Sequence, residues 1–220
     1  MKKLLISLLI VLIIFPLITQ SVSAQDNKYA VIWGSGGFKG EQICGDNNAR
    51  LMAHLLVHEY GYSNIKILIN KRFTYANAVE SLDWLRQNTD ENSTIVLFYS
   101  GHGTMNGVGM FSHYYLNYLF HDIKYGRLCM ILECCYSGNA VESLSGENRL
   151  IIGSTKINQT GQTSASGSIF GYYFLKEAIK GGLADLNGDG VSMQEAFYYY
   201  YNKNPYLFGT ISDNTGEFIP

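Results

Sequence analysis

Proline is scarce in this chain, with three residues in 220, and neither sign of charge is in real surplus: 16 Lys and Arg stand against 18 Asp and Glu. The first shortage, beside 17 Tyr and 11 Phe, fits a compact globular protein and excludes a disordered one. The second removes the electrostatic footprint of a nucleic-acid binder. Cysteine is limited to Cys44, Cys129, Cys134 and Cys135, too few for a disulfide scaffold. Adjacent Cys134 and Cys135 on one strand would point to opposite faces and seldom bridge. No zinc-ligand spacing occurs. The glycine-rich stretch 35–45 fits neither a Walker loop nor the dinucleotide fingerprint, which removes phosphate cradling. No repeat or low-complexity segment stands out, and the length suits one domain with a full core.

The one long apolar run lies at the start. Lys2 and Lys3 precede it, it covers residues 4–18, and Ser21-Val22-Ser23-Ala24 supplies small residues for cleavage. That is the pattern of an export signal over residues 1–24, cut after Ala24, leaving a single domain over 25–220. The expected location is extracellular or at the cell surface. The run is short for a membrane span of ~20 residues; left uncleaved, it would tether the chain to a membrane.

What the rest of the chain has in quantity is short apolar runs. Strands are predicted at 29–34, 64–70, 94–99, 127–135 and 150–153, and helices at 47–60, 74–88, 116–123, 168–180 and 193–201. Asp46 is a good N-cap and Gly61 a good stop for the first helix. The β-α-β-α-β order with right-handed crossovers gives an α/β fold, a mostly parallel central sheet flanked by helices.

Two of these strands carry chemistry. One ends in Ser100-Gly101-His102-Gly103 and the other in Glu133-Cys134-Cys135-Tyr136-Ser137-Gly138. Open parallel sheets place their active groups just beyond the carboxyl ends of the strands, so neighbouring strands would bring His102 and Cys135 together. A thiol attacks a carbonyl at neutral pH when an adjacent imidazole takes its proton. The turns at Gly103 and Cys135 would offer backbone N–H groups as an oxyanion hole.

Taken as a pair, these strand-end motifs resemble the caspase–legumain clan of cysteine peptidases. The Glu-x-Cys-x-Ser-Gly form is similar to the legumain family, which includes the catalytic subunit of the GPI transamidase. The resemblance covers residue 29 to the C-terminus, ending in Ile211-Ser212-Asp213-Asn214 as in exported prokaryotic caspase-like proteins. It implies the caspase–haemoglobinase fold and an endopeptidase on polypeptides that requires no cofactor for catalysis. Cys135 is then the nucleophile, His102 the base, Gly103 an oxyanion donor, and Cys134 a core thiol. Ser154 falls where family members bind the substrate backbone. Glu133 falls at the floor of the first specificity pocket, two residues before Cys135 and so on the same strand face. The family's pocket Arg is replaced by Gln42, and the Asn that orients its catalytic His by Gly40. Asparagine specificity is therefore not inherited, and a carboxylate without its cationic partner favours Lys or Arg in the substrate, as in metacaspases. Two alternatives remain: transpeptidation of surface proteins by the same chemistry, and a non-catalytic, calcium-stabilised surface module.

The calcium expectation comes from Asp185, Asn187, Asp189 and Glu195, oxygen ligands around the Gly190 turn. The loop is one residue short of the 12-residue consensus, and an Asx-rich turn capping the following helix is the competing reading. His54 and His58 sit at i, i+4 without the Glu of a His-Glu-x-x-His site, which favours a solvated helix face. Tyr198 to Tyr201 cannot share one face, so some are expected to be exposed.

Overall fold

A computed structural model describes residues 27–36, 45–164, 167–204 and 209–220. The expected export signal, Lys39, Gly40, Gln42 and Cys44 lie outside these residues.

Strand β1 (Lys28–Gly34) leads to α1 (Gly45–His58), β2 (Asn64–Ile69), α2 (Tyr75–Asn88) and β3 (Thr94–Ser100). Three two-residue strands follow, β4 (Gly103–Thr104), β5 (Gly107–Val108) and β6 (Phe111–Ser112), then α3 (His113–Leu119) and β7 (Arg127–Glu133). Next come α4 (Ser137–Leu144), β8 (Arg149–Gly153), β9 (Thr163–Ser164), β10 (Gly167–Ser168), a π-helix (Gly171–Lys180), α5 (Met193–Lys203) and β11 (Thr210–Asp213). The central sheet has the order β11-β8-β7-β3-β1-β2. All neighbours in it are parallel except β11, which runs antiparallel to β8. The five expected strands and their shared direction are thus observed. Among the described residues no helix is long and apolar enough to cross a membrane.

The strands are apolar on both faces because both are covered, as parallel sheets require. Ala30, Ile32, Val96, Phe98, Cys129, Ile131, Leu150 and Ile152 face α1, the π-helix and α5. Their alternates, among them Val31, Trp33, Ile95, Leu97, Leu128, Met130 and Ile151, face α2, α3 and α4. This two-residue alternation divides the core into two layers. Trp33 is fully buried and its indole N–H donates to Ser81 Oγ at 3.1 Å.

The structure corrects three boundaries. The helix expected at 116–123 begins earlier, at His113, because Ser112 caps it by accepting from the Tyr115 amide. The helix expected at 168–180 is a π-helix from Gly171, since Ser168 lies in β10. Strand β7 stops at Glu133, not at 135, and Cys134 to Tyr136 form a turn that passes through a left-handed Tyr136 with φ of 58°.

Candidate active site

Ser100 and Glu133 are register partners at the ends of β3 and β7, and the Gly101 amide donates to the Glu133 carbonyl at 3.0 Å. The two segments beyond these strands therefore leave the sheet side by side. Tyr99, buried in the sheet, donates its hydroxyl to the His102 carbonyl at 2.7 Å, and the Gly109 amide donates to the same oxygen at 3.0 Å. The backbone of His102 is held from two sides. Its neighbour Gly103 lies so close to the second turn that a Cβ there would stand 2.2 Å from the Cys135 carbonyl oxygen and 2.7 Å from Cys134 Sγ. Only glycine allows that approach.

Cys135 is half-buried, and its Sγ accepts from the Gly161 amide at 3.3 Å. Tyr136 donates its amide to the Gln159 carbonyl at 2.7 Å, and Asn139 and Asn158 exchange two hydrogen bonds, one between side chains at 3.0 Å and one to the Asn158 amide at 2.7 Å. These bonds hold the 154–162 loop against the 134–136 turn. Helix α4 begins immediately after that turn, and a helix N-terminus favours negative charge beside it. Cys134, by contrast, is buried in the core layer that faces α2, α3 and α4, and burial raises its thiol far above the ordinary range. Of the two adjacent cysteines, Cys135 is thus the one that is partly accessible.

His102 and Cys135 open onto one cavity of about 260 Å³ that also reaches Glu133. Glu133 was expected to share a face with Cys135 through strand alternation. The strand ends too early for that, and the turn brings both into the cavity instead. The Glu133 carboxylate is buried and is held by neutral donors. Asn48 Nδ2 lies 2.8 Å from Oε1 and 3.0 Å from Oε2, and the Ser168 hydroxyl donates to Oε1. Burial raises its pKa, while hydrogen bonds from Ser168, Ser100, Asn48 and the Gly171 amide pull in the other direction. Among the described residues lining the cavity, none is Lys or Arg. Ser154 also lines it, but its amide donates to Leu132 at 3.0 Å and its carbonyl accepts the Tyr200 hydroxyl at 2.7 Å. It shapes the wall with its backbone groups already engaged.

Sequence reasoning missed Asn48, Ser168 and Gly161. Asn48 lies on α1, which no motif tied to the site, and Ser168 lies beyond the last strand that was expected to contribute.

Elsewhere, Asp189, Glu195 and Glu217 bring carboxylate oxygens within 4.8 Å of one another. Glu217 was not anticipated. Asp185 instead accepts the amides of Gly188 at 2.6 Å and Gly190 at 3.3 Å, and Asn187 donates to Asp189 at 3.0 Å. Glu195 forms a capping box with Ser192 at the start of α5. His54 and His58 are exposed, as expected. Of the four consecutive tyrosines, Tyr200 is buried and Tyr198 is 53% exposed.

A parallel sheet whose neighbouring strand ends present a His and a Cys to one cavity defines a protein of the caspase-like fold. The family model for the caspase domain matches residues 27–182, and the chain belongs to that family. At the family level this is cysteine peptidase chemistry. A search of curated proteins finds no match. Among solved structures, protein GSU0716 from Geobacter sulfurreducens is similar with a TM-score of 0.63 at 16% identity, over 84% of this chain and 91% of that one. At that identity the likeness carries the fold alone.

Proposed function

We propose that this chain is an exported cysteine endopeptidase of the legumain-like type, working through a Cys135–His102 dyad. The observation that carries the reading is the shared cavity: both residues open onto it from adjacent strand ends, over a Gly103 that cannot bear a side chain. His102 takes the Cys135 proton, and the thiolate attacks the peptide carbonyl. The amides of Gly103 and Cys135 receive the developing oxyanion. His102 then returns the proton to the leaving amine, and water hydrolyses the thioester. Glu133 at the cavity floor selects Lys or Arg before the scissile bond. Residues 1–24 carry the export reading.

Profiling the purified mature chain on a peptide library tests this directly. The expected result is cleavage after basic residues that disappears in Cys135→Ala. An intact library, together with a Cys135 that ignores thiol electrophiles, would favour the non-catalytic surface module. Capture of the acyl group by an added amine would favour transpeptidation.

A further inference from the structure

Asn48 and Ser168 have no part in the dyad, yet together they enclose Glu133, the one carboxylate among the described residues lining the cavity. The amide nitrogen of Asn48 also lies 2.9 Å from Ser168 Oγ, which in turn accepts the Gly171 amide at 2.8 Å. The cluster leaves no space beside it: a Cβ at Gly171 would stand 2.5 Å from Asn48 Nδ2 and 2.7 Å from Ser168 Oγ. Three elements converge here, the first turn of α1, the end of β7 and the β10–π-helix junction. A buried carboxylate is costly to ionise unless hydrogen bonds or a counter-charge compensate. Here every observed partner is a neutral donor.

We propose that Asn48 and Ser168 are positioning residues that make the first specificity pocket a pH-gated selector: neutral and open to uncharged side chains at acid pH, anionic and selective for a cationic side chain as Glu133 ionises. The proposal rests on the cavity being the substrate pocket of the peptidase described above. Burial pushes the Glu133 carboxyl above the ordinary carboxylate range, and the donors of the cluster oppose that rise. An entering guanidinium or ammonium supplies a counter-charge that none of the described partners of Glu133 carries, so its binding favours release of the Glu133 proton to solvent. Removing a donor should push the transition to higher pH. Among the described residues, the other titratable groups facing Glu133 are Cys134 on the adjoining turn and Tyr200 on α5, both raised far above neutrality by burial. They stay uncharged throughout. His102 and Cys135 line the same cavity, and any charge on them would also act on a bound cation. The Asn48 and Ser168 variants separate the two effects, because neither touches the dyad.

The test uses benzamidine as the cationic probe and benzamide as its neutral counterpart, bound to the Cys135→Ala protein and followed by calorimetry from about pH 5 to about pH 8. Benzamidine affinity is expected to climb by up to about tenfold per pH unit and then level, with proton release below the plateau, while benzamide binding stays flat. Asn48→Ala should move the midpoint to higher pH, and Ser168→Ala should move it the same way. Ser168→Ala removes a single hydroxyl and keeps the test open if Asn48→Ala does not fold. Absent or pH-independent benzamidine binding, or a midpoint unmoved in the folded variants, would overturn the proposal. Failure of the peptidase reading would show separately, as a wild-type Cys135 inert to iodoacetamide beside an intact benzamidine curve.

Discussion

A single methyl group at position 103 would collide with the Cys135 carbonyl and the Cys134 sulfur. Both are parts of the 134–136 turn, which has no slack: it is tied to Gln159 through the Tyr136 amide and leads straight into α4. Gly103→Ala is therefore expected to cost about 1–3 kcal/mol of stability, the usual range for overpacking, and to lower turnover at least a hundredfold by separating His102 from Cys135. Urea denaturation and peptide kinetics read the two effects. The adjacent cysteines make a sharper comparison. Cys135→Ala and His102→Ala should each lower turnover by ~10⁴ or more, as loss of one member of a cooperating pair does. Cys134→Ala should keep most of it, because that thiol packs in the core. An active Cys135→Ala beside a dead Cys134→Ala would reverse the assignment. That Cys135 and His102 meet at one cavity was legible in the sequence, because each follows the end of one of two neighbouring strands. The role of Gly103 as a steric necessity was not, since it depends on how closely two turns approach.

Among the elements, the parallel strands were legible because being covered on both faces makes them uninterrupted apolar runs. The short sheet β4–β6, helix α4 and the antiparallel edge β11 were not. Two-residue strands have no period, and the Ser137–Leu144 helix is only eight residues long and follows a left-handed residue. The 154–162 loop was read only at its first residues, although among the described residues it supplies the amide that donates to Cys135 Sγ. Its position depends on the Asn139–Asn158 exchange, so Asn139→Ala is expected to lower kcat/KM several-fold while costing only about 1 kcal/mol of stability. An unchanged kcat/KM would show that the loop holds its place without that clasp. The calcium-like loop was half legible. Its Asx residues fold the turn, but the third clustered carboxylate comes from Glu217, 22 residues after Glu195 in the sequence. Three carboxylates in mutual reach repel, so Glu217→Gln should raise the melting temperature in chelator. Calcium, as expected from the sequence, would raise that of the wild type by mass action.

Across the whole molecule, the Glu133 cluster ties function to stability. Folding takes this carboxyl from water, where a Glu titrates near 4.3, into a buried site where its pKa is raised. A group whose folded pKa is raised contributes stability that is fully present below its unfolded pKa and is lost as pH rises through the folded one. The window therefore opens in the ordinary carboxylate range and extends upward. Asp213 acts oppositely. Burial pushes it up, but hydrogen bonds from Gln194 and Thr215 outweigh this and hold it low, so its contribution is present above the ordinary carboxylate range and lost below it. Comparing Glu133→Gln with wild type cancels the Asp213 effect and isolates Glu133. Gln cannot ionise, so between about pH 5 and about pH 8 the melting temperature of the variant relative to wild type should rise and then level once Glu133 ionises in the folded protein. The absolute offset also reflects how well the new amide fits against Asn48; the pH slope does not. A gap that stays constant over this range would mean that Glu133 is ionised throughout and well compensated in the folded protein. A rising gap, alongside lost cleavage after Lys and Arg, would show that this protein gives up stability at neutral pH to keep an ionisable carboxyl at the floor of its substrate pocket, a trade-off expected at functional sites.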